Sequence, residues 1–156
     1  EPRWRKIVTS LHTLLREQRG RYVWGVRAGD ESLLSWQVGD PHLHLEPGRT
    51  PEGFERRWAE LRGRWQVAVL DGRARLGGPV GDLELTAEGE DHEDADEHLQ
   101  LLAGQALVDF DLEPTRLVLR FDLGCELEIS GEYALVRASA GDDRVAEWAA
   151  GSGAPR

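Results

Sequence analysis

Trp4, Ile7, Val8, Leu11, Leu14 and Leu15 recur at the three- and four-residue steps of an α-helix. The spacing predicts an N-terminal helix over residues 3–19, inside a segment 1–20 that packs one apolar stripe on the body, with Gly20 as its stop. From Tyr22 the period becomes two. Tyr22 to Arg27 is rich in β-formers, Ala28-Gly29-Asp30 supplies turn chemistry, and Ser32–Val38 reads as the returning strand. Leu43 and Leu45 then alternate with polar neighbours up to Pro47, so a three-stranded meander is expected by residue 46.

Residues 47–61 are rich in Pro, Gly and charge, with Phe54, Trp58 and Leu61 at steps of four and three; a short amphipathic helical turn and a mobile loop both fit. Residues 64–70 form a strand, and Asp71-Gly72 predicts a tight hairpin into a strand over 73–76. Gly77-Gly78-Pro79-Val80-Gly81 breaks the pattern before a short strand over 83–86. A second helix is expected near residues 93–103, starting in an acidic run and ending at Gly104. Four strands over 106–112, 116–122, 125–130 and 133–137 follow, with Val145 and Trp148 in a last strand or short helix and 151–156 as a frayed tail. The pattern predicts one α+β domain over residues 21–150. Its sheet is predominantly antiparallel, a sandwich or partly closed barrel.

A chain of 156 residues can bury a sizeable core without disulfide or metal staples. No run of 18 apolar residues is present, which excludes a spanning helix, and the single Cys125 fits a reducing, cytoplasmic compartment. The chain opens on Glu1 and contains no Met, so the natural chain is expected to begin further upstream; no basic-then-apolar signal pattern is visible. Charge is unevenly placed. Residues 1–75 carry 14 Lys/Arg against 10 Asp/Glu, whereas residues 76–156 carry 5 against 19, a net of −14 in a chain of −10. That acidic half disfavours nucleic acid and anionic membrane as partners.

Asp40, His42, His44 and Glu46 fall on one face of a strand, with Leu43 and Leu45 on the other. Two imidazoles and carboxylates on one strand face can hold a metal such as Zn, Fe or Mn, and the same pattern describes a half-buried strand with a polar outer face. Residues 88–97 hold seven acidic groups in ten, including Glu93, Asp94, Asp96 and Glu97, but His92 and His98 are six apart and would lie about 120° apart around a helix. The run reads as a solvated helix start, or as an electrostatic contact for a basic partner. Cys125 among Leu123, Leu127 and Ile129 reads as a buried thiol. No Gly-x-Ser-x-Gly, P-loop or Gly-x-Gly-x-x-Gly pattern occurs, which weighs against nucleotide and serine-hydrolase chemistry. Trp58, flanked by Arg56-Arg57 and Glu60, suits a protein contact or a loop anchor; the other five tryptophans are expected mostly in the core.

Val23-Trp24-Gly25-Val26-Arg27-Ala28-Gly29, Gly39-Asp40-Pro41-His42-Leu43-His44-Leu45-Glu46-Pro47 and Arg62-Gly63-Arg64-Trp65 come in order along the chain. Leu102-Ala103-Gly104-Gln105-Ala106-Leu107 and Phe121-Asp122-Leu123-Gly124 follow them. Over roughly residues 22–148 this order resembles an uncharacterised bacterial protein family, a domain of unknown function. The helix before Tyr22 is extra to that pattern, and the closing segment lacks its fuller Trp-containing strands. The resemblance implies an architecture and a bacterial source, with no catalytic residue to carry over. The expected function is a non-enzymatic, immunity-like binding module that contacts a basic protein through Trp58, Glu93, Asp94, Asp96 and Glu97. The alternative is a metal-binding protein or metal-dependent enzyme built on Asp40, His42, His44 and Glu46. Binding of a small ligand inside the sheet is a third possibility.

Overall fold

The computed structural model describes residues 7–29, 31–86 and 95–151. Its elements in chain order are β1 (Ile7–Val8), α1 (Leu11–Glu17), β2 (Val23–Gly29), β3 (Ser32–Val38), β4 (His42–Arg49), β5 (Glu55–Arg62) and β6 (Trp65–Gly78). They continue with β7 (Gly81–Thr86), α2 (Ala95–Leu102), β8 (Leu107–Leu112), β9 (Arg116–Phe121), β10 (Glu126–Ala140) and β11 (Arg144–Ala149). The expected mostly antiparallel β fold with two helices is present. Nine strands form one sheet in the order β1-β11-β10-β6-β3-β2, with β7 on β6 and β8-β9 on β10, while β4 and β5 form a separate two-stranded ribbon. Among the described residues only the β1–β11 pairing is parallel.

β6 and β10 organise the sheet. Residues 65–69 of β6 pair with β3 and residues 65–71 with 135–140 of β10, whereas residues 73–77 pair with β7 and with 126–130 of β10. The expected hairpin at Asp71-Gly72 and the expected break between strands 125–130 and 133–137, at Gly131-Glu132, are therefore bulges inside two long strands. Both glycines adopt left-handed φ (+109° and +115°), as a turn would require, but the chain continues. Bulges bend strands, and these two sit side by side. The β2 edge approaches the β8 edge through Gly20 N–H to Leu107 O (2.8 Å), Val23 N–H to Gln105 O (2.8 Å) and the isolated Tyr22–Ala106 bridge, without closing a barrel.

The core lies on the inner face. Trp36, Val67, Val69, Leu127, Ile129, Val136 and Trp148 are buried there by alternation along their strands, the parity changing at the bulges of β6 and β10. Leu11, Leu14 and Leu15 of α1 pack against β10 and β11, and Leu99 and Leu102 of α2 join the same cluster beside β2. Of the tryptophans described, Trp36, Trp65 and Trp148 are buried and Trp24 is half-buried.

Two further expectations change. The N-terminal helix is shorter than residues 3–19: Ile7 and Val8 are a strand on β11, and Ser10 caps α1 by accepting from Thr13 N–H (3.1 Å). Residues 7–9 are β-branched, and the serine cap gives the chain a defined place to turn helical. Trp4 lies outside the described residues. Residues 55–62 are neither helix nor loop but β5, and the expected third meander strand pairs with it instead of with β3. Among the described residues no helix is long and apolar enough to cross a membrane.

Candidate functional site

The ribbon leaves the sheet at a fastened root. Gly39 turns with φ +86°, a conformation L side chains resist, and its carbonyl accepts from the Trp24 indole N–H (2.7 Å). The chain returns through Gly63, where a Cβ would stand 2.6 Å from the Val38 carbonyl and whose N–H donates to Gln37 Oε1 (2.9 Å). Between these points β4 and β5 pair, among the described residues, only with each other, in the register Leu43–Leu61, Leu45–Ala59 and Glu46–Trp58. Thr50 shapes the tip: its Oγ1 accepts from Phe54 N–H (3.1 Å) and its N–H donates to Phe54 O (2.9 Å).

Alternation divides the ribbon into two faces. Leu43, Leu45, Pro47, Ala59 and Leu61 share one; His42, His44, Glu46, Arg56, Trp58, Glu60 and Arg62 share the other. Among the described residues no layer covers the apolar face: Leu43 is 60% exposed, Leu45 52% and Leu61 62%, with Phe54 at 69% near the tip. Trp58 is 42% exposed; its indole lies over Gly48, where any Cβ would overlap it, and the Arg56 guanidinium stands 5.1 Å from its ring centroid. Trp58 is thus not a loop anchor to the sheet.

The proposed metal set does not converge. His44 Nε2 and Glu46 Oε2 meet at 3.0 Å, but Asp40 precedes β4 and lines the cleft at the ribbon root together with His42. Alternate residues on a strand stand about 7 Å apart, so a shared face does not gather ligands unless side chains fold inward. Among the described residues no three His, Cys, Asp or Glu side chains come together to hold an ion. Glu93 and Asp94 lie outside the described residues, Asp96 is placed only as part of α2, and Glu97 is exposed on α2.

The cleft at the root has a volume of about 1000 Å³ and is lined by Glu17, Asp40, His42, Arg64, Trp65 and Arg144, among others. Arg144 fastens it. Its Nη1 and Nη2 donate to the two Glu17 oxygens (2.6 and 2.8 Å) and its Nε to Asp142 (2.8 Å), tying α1 to the β10–β11 turn. The hydrogen bond from Arg144 holds Glu17 below the usual carboxylate range against the opposing effect of burial, and both carboxylates raise Arg144 further. The nearby Trp65 indole N–H favours the charged Glu17 without completing a hydrogen bond in the usual geometry.

A depressed carboxyl pKa contributes stability above its unfolded value, here about 4.5, and loses it as pH falls through the folded value. Glu17→Gln is therefore expected to cost about 1–2 kcal/mol at neutral pH, solvent exposure reducing the worth of the pair. The gap to wild type should close in urea titrations below about pH 4.5; a gap independent of pH would contradict the assignment.

Part of the acidic C-terminal half is ion-paired where β8, β9 and β10 meet. Arg120 reaches Asp111 (2.7 Å) and Glu126 (3.6 Å), and Arg116 reaches Glu113 (2.9 Å) and Glu128 (3.8 Å). Glu126 and Glu128 are thus members of an exposed ion-pair ladder. Cys125 is buried, as expected, and its Sγ accepts from Gln105 Nε2 (3.1 Å). Gln105, which the sequence offers only as part of a motif, has a structural role: its Oε1 accepts from Leu123 and Cys125 N–H (3.2 and 3.3 Å) and its Nε2 donates to Leu101 O (2.7 Å). Asp122 Oδ1 takes the Ala106 N–H (2.9 Å). The Gly-Gln step and the Phe-Asp-Leu-Gly turn are therefore one structural clasp, and a glutamine inside an apolar run was the available signal. Comparison with protein-family models, with curated proteins and with solved structures found no match.

Proposed function

We propose that this chain is a non-enzymatic binding module of the immunity kind, which occupies a basic partner protein. The observation that carries this reading is the ribbon: large apolar side chains held in the open on a two-stranded arm with a fastened root. Monomer surfaces seldom leave such a patch uncovered, and Leu side chains on a preordered strand lose little entropy on docking. The net charge of −10 supplies long-range attraction to a basic protein. In this arrangement the apolar face anchors the partner, while acidic groups such as Glu97 accelerate encounter.

The test is capture from bacterial lysate on the immobilised chain, followed by rebinding of the purified captured protein. The expected result is one stoichiometric basic partner. Its association rate should fall steeply with salt, and again when Glu93, Asp94, Asp96 and Glu97 are changed to Lys, with a smaller change in dissociation rate. An acidic partner, or association indifferent to salt and to the charge reversal, would sink this reading.

A further inference from the structure

The two edges of the ribbon differ. β4 contains Pro47, which has no N–H to give a neighbouring strand, so that edge is blunted. β5 has no proline, all but one of its residues are exposed, and among the described residues it pairs only with β4. Such an open edge is a template for another strand.

When a strand pairs antiparallel with a second copy of itself, opposite residues share a face, so one residue must lie opposite its own copy. Consider the registers that overlap most of β5. Centring on Arg57 or on Glu60 sets like charges against each other at the axis. Centring on Ala59 sets Arg56 of one copy against Arg62 of the other, twice. Centring on Trp58 sets Arg56 against Glu60, twice, with two indoles meeting between the pairs. Arg56 is available for this contact: it lies on the Trp58 ring and has no ion-pair partner among the described residues. Glu60 is on the same face, paired within its own chain to Arg62.

We infer that β5 binds a second copy of this chain antiparallel about Trp58, joining two ribbons into one four-stranded sheet. The inference uses the backbone edge and the polar face. The apolar face, on which the binding reading rests, stays open and doubles, with Leu43, Leu45, Ala59 and Leu61 contributed by each copy.

Sedimentation of the full chain tests it. Wild type is expected at twice the chain mass. Arg56→Glu and Glu60→Arg, each alone, replace two attractive pairs by two repulsive ones and should weaken the dimer roughly tenfold or more. Mixing these two variants should restore it, because the mixed pair sets opposite charges together at both positions. In a Cys125→Ser background, Trp58→Cys should cross-link to its own copy under oxidation, whereas Arg57→Cys should not. A wild-type monomer, a dimer indifferent to either reversal, no recovery on mixing, or no cross-link at position 58 overturns the proposal. None of these outcomes bears on the apolar face, which Leu43 and Leu61 substitutions probe separately.

Discussion

Gly72→Ala is expected to lower stability by about 3–5 kcal/mol, combining backbone strain with overpacking at one position. The φ of +109° is left-handed, and an ideal Cβ there would lie 2.7 Å from Ala134 Cα, 2.8 Å from its Cβ and 2.8 Å from the Ser130 carbonyl oxygen. All three belong to β10 at the point where its register shifts, so relief would require the two bulges to separate. Gly131 is the control. Its φ is +115°, but its nearest neighbours stand 3.6–3.9 Å from the position of a Cβ. Gly131→Ala should therefore cost only the backbone term, about 1–3 kcal/mol. Urea denaturation of both variants checks the pair. Equal losses would mean that close approach of the two strands contributes nothing at this point.

The same bulges show why sequence reasoning placed strands well and their connections less well. Alternation along Leu117, Leu119 and Phe121, or along Leu127 and Ile129, reports burial on one face; those residues are buried in the structure, and so is Val118 between them. Asp71-Gly72 and Gly131-Glu132 report only that the backbone turns left-handed. Whether such a step reverses a chain or kinks it depends on the neighbouring strand, here the opposing bulge. At the N-terminus, Ile7 and Val8 happen to continue the stripe of Leu11, Leu14 and Leu15, while the Ser10 cap that separates them was readable.

The ribbon was the least legible element, for a non-local reason. Leu43 and Leu45 alternate as a half-buried strand does, and burial requires another layer beneath them. Among the described residues that layer is absent, because Gly39 and Gly63 route β4 and β5 away from β3 and β6. The shared face of Asp40, His42, His44 and Glu46 shows a similar limit. Periodicity assigned His42, His44 and Glu46 to one side, but only His44 and Glu46 meet.

Replacing Leu43 and Leu61 together with Ser is expected to leave folding almost untouched and to remove most of the partner affinity. Both side chains are more than half exposed and pair across the ribbon, so little apolar area is lost to water when they shrink; a change within about 0.5 kcal/mol in unfolding is expected. At an interface the same positions would be central apolar anchors, each worth about 2 kcal/mol, so the double change should weaken binding by a factor on the order of a thousand. The two effects have opposite sizes because the surface in question is covered only in the complex.

The most direct measurement is therefore the dissociation constant of the captured partner for wild type and for the Leu43→Ser, Leu61→Ser variant, with urea unfolding of both chains alongside. Affinity lost by orders of magnitude at unchanged stability is the predicted result. Unchanged affinity would show that the partner docks elsewhere and would contradict the ribbon as the contact element.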